Sequence, residues 1–126
     1  MSFSNTYETN VLTWVFTGNA VTRPTAWYIG LFTAAPGEAG GGTEVSGGSY
    51  AREAATFTVS GDTASNSANI EFTAATASWG TVTHIAVFDA STGGNQIAYA
   101  SLTASKAIDT GDILRIPAGD LDITLN

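Results

Sequence analysis

From Asn5 to Thr17 apolar side chains recur at helical intervals: Tyr7, Val11, Trp14 and Val15 share one broad face, widened by Leu12 and Phe16. This spacing predicts a helix over about 5–17 whose apolar side must pack on its own sheet or on a neighbouring subunit. Asn5 is the expected N-cap, with Glu8 three residues on as its capping partner, and Gly18 the expected stop. After Pro24 the period changes. Trp27-Tyr28-Ile29-Gly30-Leu31-Phe32 is apolar at successive positions, as in a central strand covered on both faces. Pro36-Gly37 marks a turn, and Gly40-Gly41-Gly42 and Gly47-Gly48 predict a mobile surface loop.

Downstream the pattern becomes strict alternation. Ala55, Phe57 and Val59 oppose Thr56, Thr58 and Ser60, while Ala68, Ile70 and Phe72 oppose Asn69 and Glu71, so each set divides between core and water. Thr81 to Asp89 and Gln96 to Leu102 flank the turn-rich Ser91-Thr92-Gly93-Gly94-Asn95 and predict a hairpin. Two further strands, Ile113 to Ile116 and Leu121 to Leu125, surround Pro117-Ala118-Gly119-Asp120. The pattern predicts one mainly all-β domain over 1–126, an antiparallel β-sandwich or jelly-roll-like fold from about residue 25, led by one short α-helix.

Charge narrows the function. Eleven acids against four bases give the 126-residue chain a formal charge of −7. Arg23, Arg52, Lys106 and Arg115 are scattered, so no basic stripe exists to displace counterions from nucleic acid or to hold an anionic membrane. Without cysteine the chain has neither disulfides nor thiolate chemistry. The sequence shows no secretory signal or apolar run of membrane-spanning length, and synthesis as a soluble product in the host cytoplasm is expected.

Candidate chemistry is sparse. Asp109-Thr110-Gly111 matches the catalytic tripeptide of aspartic proteases, but the chain continues Asp112-Ile113-Leu114-Arg115-Ile116-Pro117 where those enzymes need an apolar strand ending in glycine; a turn explains it better. Asp89-Ala90-Ser91-Thr92-Gly93-Gly94-Asn95 spaces its oxygens like a calcium loop, yet the twelfth position is Ala100. Asp120 and Asp122 share a strand face and read as a solvated edge. His84, the only histidine, lacks a nucleophile motif, and Lys106, the only lysine, lies in no phosphate-binding loop. Trp27, Tyr28, Tyr50 and Trp79 could stack on a sugar or fill the core. No catalytic residue, cofactor or metal is expected.

Trp27-Tyr28-Ile29-Gly30-Leu31-Phe32-Thr33-Ala34-Ala35-Pro36-Gly37-Glu38, then Gly42 through Arg52, Trp79 through Ala90, Gly93-Gly94 and Ala98-Tyr99-Ala100 resemble a family of small structural proteins of tailed-phage virions. Its members are often labelled tail fibre proteins, and it includes capsid decoration, or cement, proteins. The resemblance implies a virion component without enzymatic activity. A fibre shaft calls for a heptad or β-helix repeat, which is missing, whereas a decoration protein needs only a compact domain with one fitted face. The expected role is therefore capsid decoration: a homotrimer on the major capsid protein at the virion's capsid surface, stabilising the assembled shell by mass action. A tail-associated or tail-fibre receptor-binding module is the alternative, and a dimeric aspartic hydrolase through Asp109 the remote one. Expected interface residues are Trp14 and Phe16 on the helix, Tyr50 and Arg52 after the glycine-rich loop, and Trp79 at a strand entrance.

Overall fold

The structure, a computed structural model, describes residues 1–125. The chain opens with β1 (Ser2–Phe3) and α1 (Asn5–Phe16), then β2 (Trp27–Ala34), β3 (Thr43–Glu44), β4 (Glu53–Ala55), β5 (Phe57–Ser60), β6 (Thr63–Asn66) and β7 (Ile70–Glu71). The hairpin strands β8 (Gly80–Phe88) and β9 (Gln96–Ile108) follow, and β10 (Arg115–Ile116) and β11 (Asp122–Thr124) end it. Every pairing is antiparallel. The main sheet runs β1-β9-β8-β2-β3, with β4 also on the outer edge of β2; β10-β7 and β11-β6-β5 form two small sheets. The mainly-β class with one leading helix follows the sequence pattern, and the arrangement is sandwich-like.

The apolar run of β2 is central because both its faces are covered. On one side Ile29 and Leu31 join Ile85, Val87 and Ala98 of the main sheet in a cluster with Ile70, Phe72, Ala75, Trp79, Leu114 and Leu121 from the opposing layer. On the other, Phe32 stacks on Phe88 at 6.1 Å between ring centroids, beside Ala86 and Tyr99. Burying one large apolar side chain is worth roughly 1.5–3 kcal/mol, so the first cluster dominates stability.

Five details differ from the pattern-based expectation. The helix is capped by Ser4, not Asn5: the Ser4 hydroxyl accepts from Tyr7 N–H at 3.4 Å, and the Asn5 N–H donates to the Glu38 carbonyl at 2.9 Å. Glu8 thereby falls one position too far for a capping box. The helix stops at Thr17, extended at φ −132° and ψ 167°, whose N–H donates to Thr13, so Gly18 needs no left-handed turn. The glycine-rich loop is a packed element, because it contains β3 and the buried Val45. At Gly42, φ +73°, a Cβ would meet the Ala34 carbonyl oxygen at 2.6 Å, so the glycine permits close backbone approach. Val59 is 75% exposed, because β5 pairs at the sheet edge with only β6 beside it. Finally, β9 continues past Leu102 to Ile108, and its register slips between Ser101 opposite His84 and Lys106 opposite Val82, a bulge that hid the continuation.

Candidate interaction surface

The base of α1 is tied to the sheet by hydrogen bonds. Ser4 is buried; its N–H donates to the Ile97 carbonyl at 2.8 Å and its hydroxyl to the Gln96 carbonyl at 2.5 Å. The Gln96 amide donates in turn to the Gly37 carbonyl at 2.8 Å. One turn into the helix, the Tyr7 hydroxyl donates to Asp89 at 3.0 Å. Burial, that bond and the carboxylate's charge push the Tyr7 phenol up to about 12. The first turn is thus fixed to the β8-β9 hairpin and to the turn after β2.

Beyond that turn the helix is displayed. None of its residues is buried, and Leu12, Trp14, Val15 and Phe16 are 59%, 60%, 53% and 79% exposed. At 3.6 residues per turn, Leu12, Val15 and Phe16 form one outward stripe, while Tyr7, Val11 and Trp14 turn toward the segment before β2. There Arg23 lies 5.5 Å from the Trp14 ring, a cation-π contact beside an apolar groove of about 300 Å³ that Val21 and Pro24 also line. The helix thus shows solvent an apolar stripe on one side and, on the other, an apolar groove against residues 21–24.

A second constellation, centred on Arg52, joins β3 to the turn after β8 and lines a cavity of about 380 Å³ together with Ser4 and Thr6 at the helix base. Arg52 holds Glu44 with both ends of its guanidinium, Nε to Oε2 at 2.8 Å and Nη2 to Oε1 at 2.9 Å, while Nη1 donates to the carbonyls of Ala90 and Gly93 at 2.9 Å each. Its Cζ sits 3.5 Å from the Phe88 ring centroid. The Tyr50 hydroxyl donates to Glu44 at 2.7 Å and accepts from Leu31 N–H at 2.9 Å. Burial opposes ionisation of Glu44, but the bonds from Arg52 and Tyr50 and the cation's charge outweigh it and hold the carboxyl below its usual range. Burial and the bond to Glu44 push the Tyr50 phenol up. This cluster clamps the glycine-rich loop to the turn after β8. All buried side-chain polar atoms among the described residues have partners, which makes it a structural lock.

The five expected interface residues therefore separate. Trp14 and Phe16 stand on the open helix. Tyr50 and Arg52 belong to the lock, and Trp79 is buried, with its indole N–H donating to the Gly48 carbonyl at 2.9 Å. Nor do the four aromatics weighed for sugar stacking form an open platform: Trp27 meets Phe57 edge-on at 6.5 Å, and Tyr50 meets Trp79 edge-on at 5.4 Å.

The remaining candidates are turn and strand residues. Asp109-Thr110-Gly111 is exposed, and the Asp112 carboxylate accepts from Asp109 N–H at 2.8 Å, the bond of a turn. Asp89 accepts from the Asn95 backbone N–H at 2.7 Å and its amide at 3.1 Å; these bonds and that from Tyr7 outweigh burial and lower its pKa. Its carboxylate organises the turn. Half-buried His84 shares a 2.8 Å hydrogen bond with Thr83, and Asp122 accepts from Ser65 across β11 and β6. Among the described residues no three His, Cys, Asp or Glu side chains gather in a metal-binding group. Among the described residues no helix is long and apolar enough to cross a membrane.

A family model described as podophage GP4 fiber I protein gp80 matches residues 2–124. The chain belongs to this podophage fibre family. No curated protein matches it. The family match extends through the helix, which also resembled the family in sequence, to the final strands, where the resemblance was one of general strand character only. Ser4 and Arg23, which set the helix's base and flank, escaped the sequence reading. A serine before a helix was legible as a cap in principle, but its strand partner, Gln96, lies far along the chain.

Proposed function

We propose that this fibre-family domain is a structural, non-enzymatic building unit of the phage tail fibre, joined to its neighbours in the virion through α1. The observation that carries the reading is the contrast within the helix: a hydrogen-bonded base and an apolar stripe with no intramolecular cover. A monomer gains nothing from exposing Leu12, Val15 and Phe16, whereas a unit of an assembly gains a docking surface. The closed Glu44-Arg52-Tyr50 lock supports the same reading, since it spends the strongest polar groups on rigidity. The family description names a fibre protein, which favours the tail over the head.

Capsid decoration is the second reading, favoured by the compact repeat-free fold, with the major capsid protein as partner. Cryo-electron microscopy of particles, with the protein marked by a bound antibody fragment, tests both. Density along a tail appendage is the expected result. Density confined to the head replaces the fibre role with decoration, and particles without the protein overturn both.

A further inference from the structure

The side of α1 turned away from the stripe borders a groove with two lobes. One, of about 300 Å³, is apolar and walled by Val11, Trp14, Val21 and Pro24. The other, of about 390 Å³, shares Tyr7, Asn10 and residues 21–24 with it and adds Thr13, Thr25, Asp89 and Asn95. A pocket of a few hundred Å³ that joins an apolar wall to convergent polar groups is the usual form of a small-molecule site.

Much of this groove's polar chemistry is left over by the fold. The side chains of Asn10, Thr13, Thr22 and Thr25 form no hydrogen bond within the described chain, although Asn10 and Thr13 are half-buried. Arg23 has only the Trp14 ring, because among the described residues the one ion pair joins Arg52 to Glu44. Asn95 gives its backbone N–H and its amide to Asp89 and keeps its side-chain carbonyl oxygen. Asp89 accepts three bonds, two from Asn95 and one from Tyr7, and a carboxylate has about four such positions. At the lock, by contrast, Glu44, Arg52 and Tyr50 satisfy one another.

The occupant follows from that arrangement. Amides and hydroxyls both donate and accept, which matches a ligand whose own groups do both. The adjoining apolar lobe, where Trp14 is 60% exposed, calls for a ligand with an apolar face beside its polar edge. A pyranose ring has this form, with C–H bonds on its face and hydroxyls around its rim. Neither wall is a strand edge, since one is α1 and the other the segment between α1 and β2, so an extended peptide finds no ladder to join. A polyanion is opposed by the formal charge of −7. We infer that the groove between α1 and residues 21–24 binds a pyranose saccharide, its C–H face against Trp14, Val21 and Pro24 and its hydroxyls bonded to Asn10, Arg23 and Asp89. The groove lies across the helix from Leu12, Val15 and Phe16, so the inference goes beyond the fibre reading and does not depend on it.

Amide NMR of the full chain tests it, with methyl β-D-glucopyranoside, methyl β-D-galactopyranoside and methyl α-D-mannopyranoside titrated separately. The expected result is saturable shifts, for at least one glycoside, at the Trp14 indole N–H and at Asn10 and Arg23. Sorbitol, which has hydroxyls but no ring face, binds more weakly. Trp14→Ala weakens the best glycoside by ~10-fold and Asn10→Ala by ~5-fold, the worth of one aromatic contact and one hydrogen bond, with cooperative urea unfolding retained. No saturable shift with any of the three, shifts centred on the Arg52 cavity instead, or an affinity indifferent to Trp14→Ala overturns the site. Tighter binding of N-acetylphenylalaninamide than of every glycoside overturns the saccharide and makes the groove a peptide pocket.

Discussion

Phe72 and Phe16 are the same side chain in opposite circumstances. Phe72 is 1% exposed, stacked on Tyr50 at 6.3 Å between ring centroids, and surrounded by residues of both layers. Phe16 is 79% exposed at the end of a helix with no buried residue. Both stand in apolar patterns of comparable strength. The difference lies in the backbone around them: Phe72 N–H donates to the Leu114 carbonyl at 2.9 Å and locks the small β10-β7 sheet, while the helix's hydrogen bonds to the rest of the fold are confined to its base. Apolar periodicity says that a face needs cover, and backbone ties decide whether the cover comes from the same chain.

Breaking the buried side should have the largest effect. Phe72→Ala is expected to cost ~3–5 kcal/mol, measured by urea unfolding, because the surrounding layers relax only partly into the space left. The lock comes next. Arg52→Ala leaves Glu44 without its cation and should cost about 2 kcal/mol, below the range for fully buried pairs because Glu44 retains some solvent contact. Acid sharpens this result. A carboxyl whose folded pKa is depressed stabilises above its unfolded value, near 4.3, and loses that contribution as pH falls through the folded value. The gap between parent and Arg52→Ala should therefore be full at pH 7 and narrow below about pH 4.

Smaller effects test the boundary between the two regions. Ser4→Ala removes a cap and a strand tie and is expected to cost ~1–2 kcal/mol, with faster amide exchange in the first helical turn than in the β8-β9 hairpin. Tyr7 gives the alkaline counterpart. Its folded pKa is raised to about 12, so its contribution is complete below its unfolded value of 10.0 and declines as pH rises toward 12; Tyr7→Phe should flatten that limb. Least of all, Trp14→Ala should change monomer unfolding by no more than ~0.5 kcal/mol, as at other exposed positions, although it lies in the helix's apolar face. A loss comparable to Phe72→Ala would mean that the helix belongs to the core after all.

The sequence made the fold class legible because β2, β8 and the first half of β9 show the burial their side chains imply. It misplaced the N-cap because the deciding bond joins Ser4 to a strand almost a whole chain away. It read the glycine-rich loop as mobile because Gly42 and Gly48 look like flexibility in one dimension and serve close packing in three. On the surface, Trp14, Phe16, Tyr50, Arg52 and Trp79 had equal claims. Only the partners of the last three, Glu44, Leu31 and Gly48, show that their polar groups are engaged within the chain.

The placement of β1 carries one more consequence. Ser2 and Phe3 pair with Tyr99 and Ala98, so the strand that leads into α1 finds its partner far along the chain. Contacts of such sequence separation form late, after the loops they close have already been ordered. The base of α1, and with it the direction of its exposed apolar stripe, is therefore set by a long-range pairing and not by the helix's own neighbours in sequence.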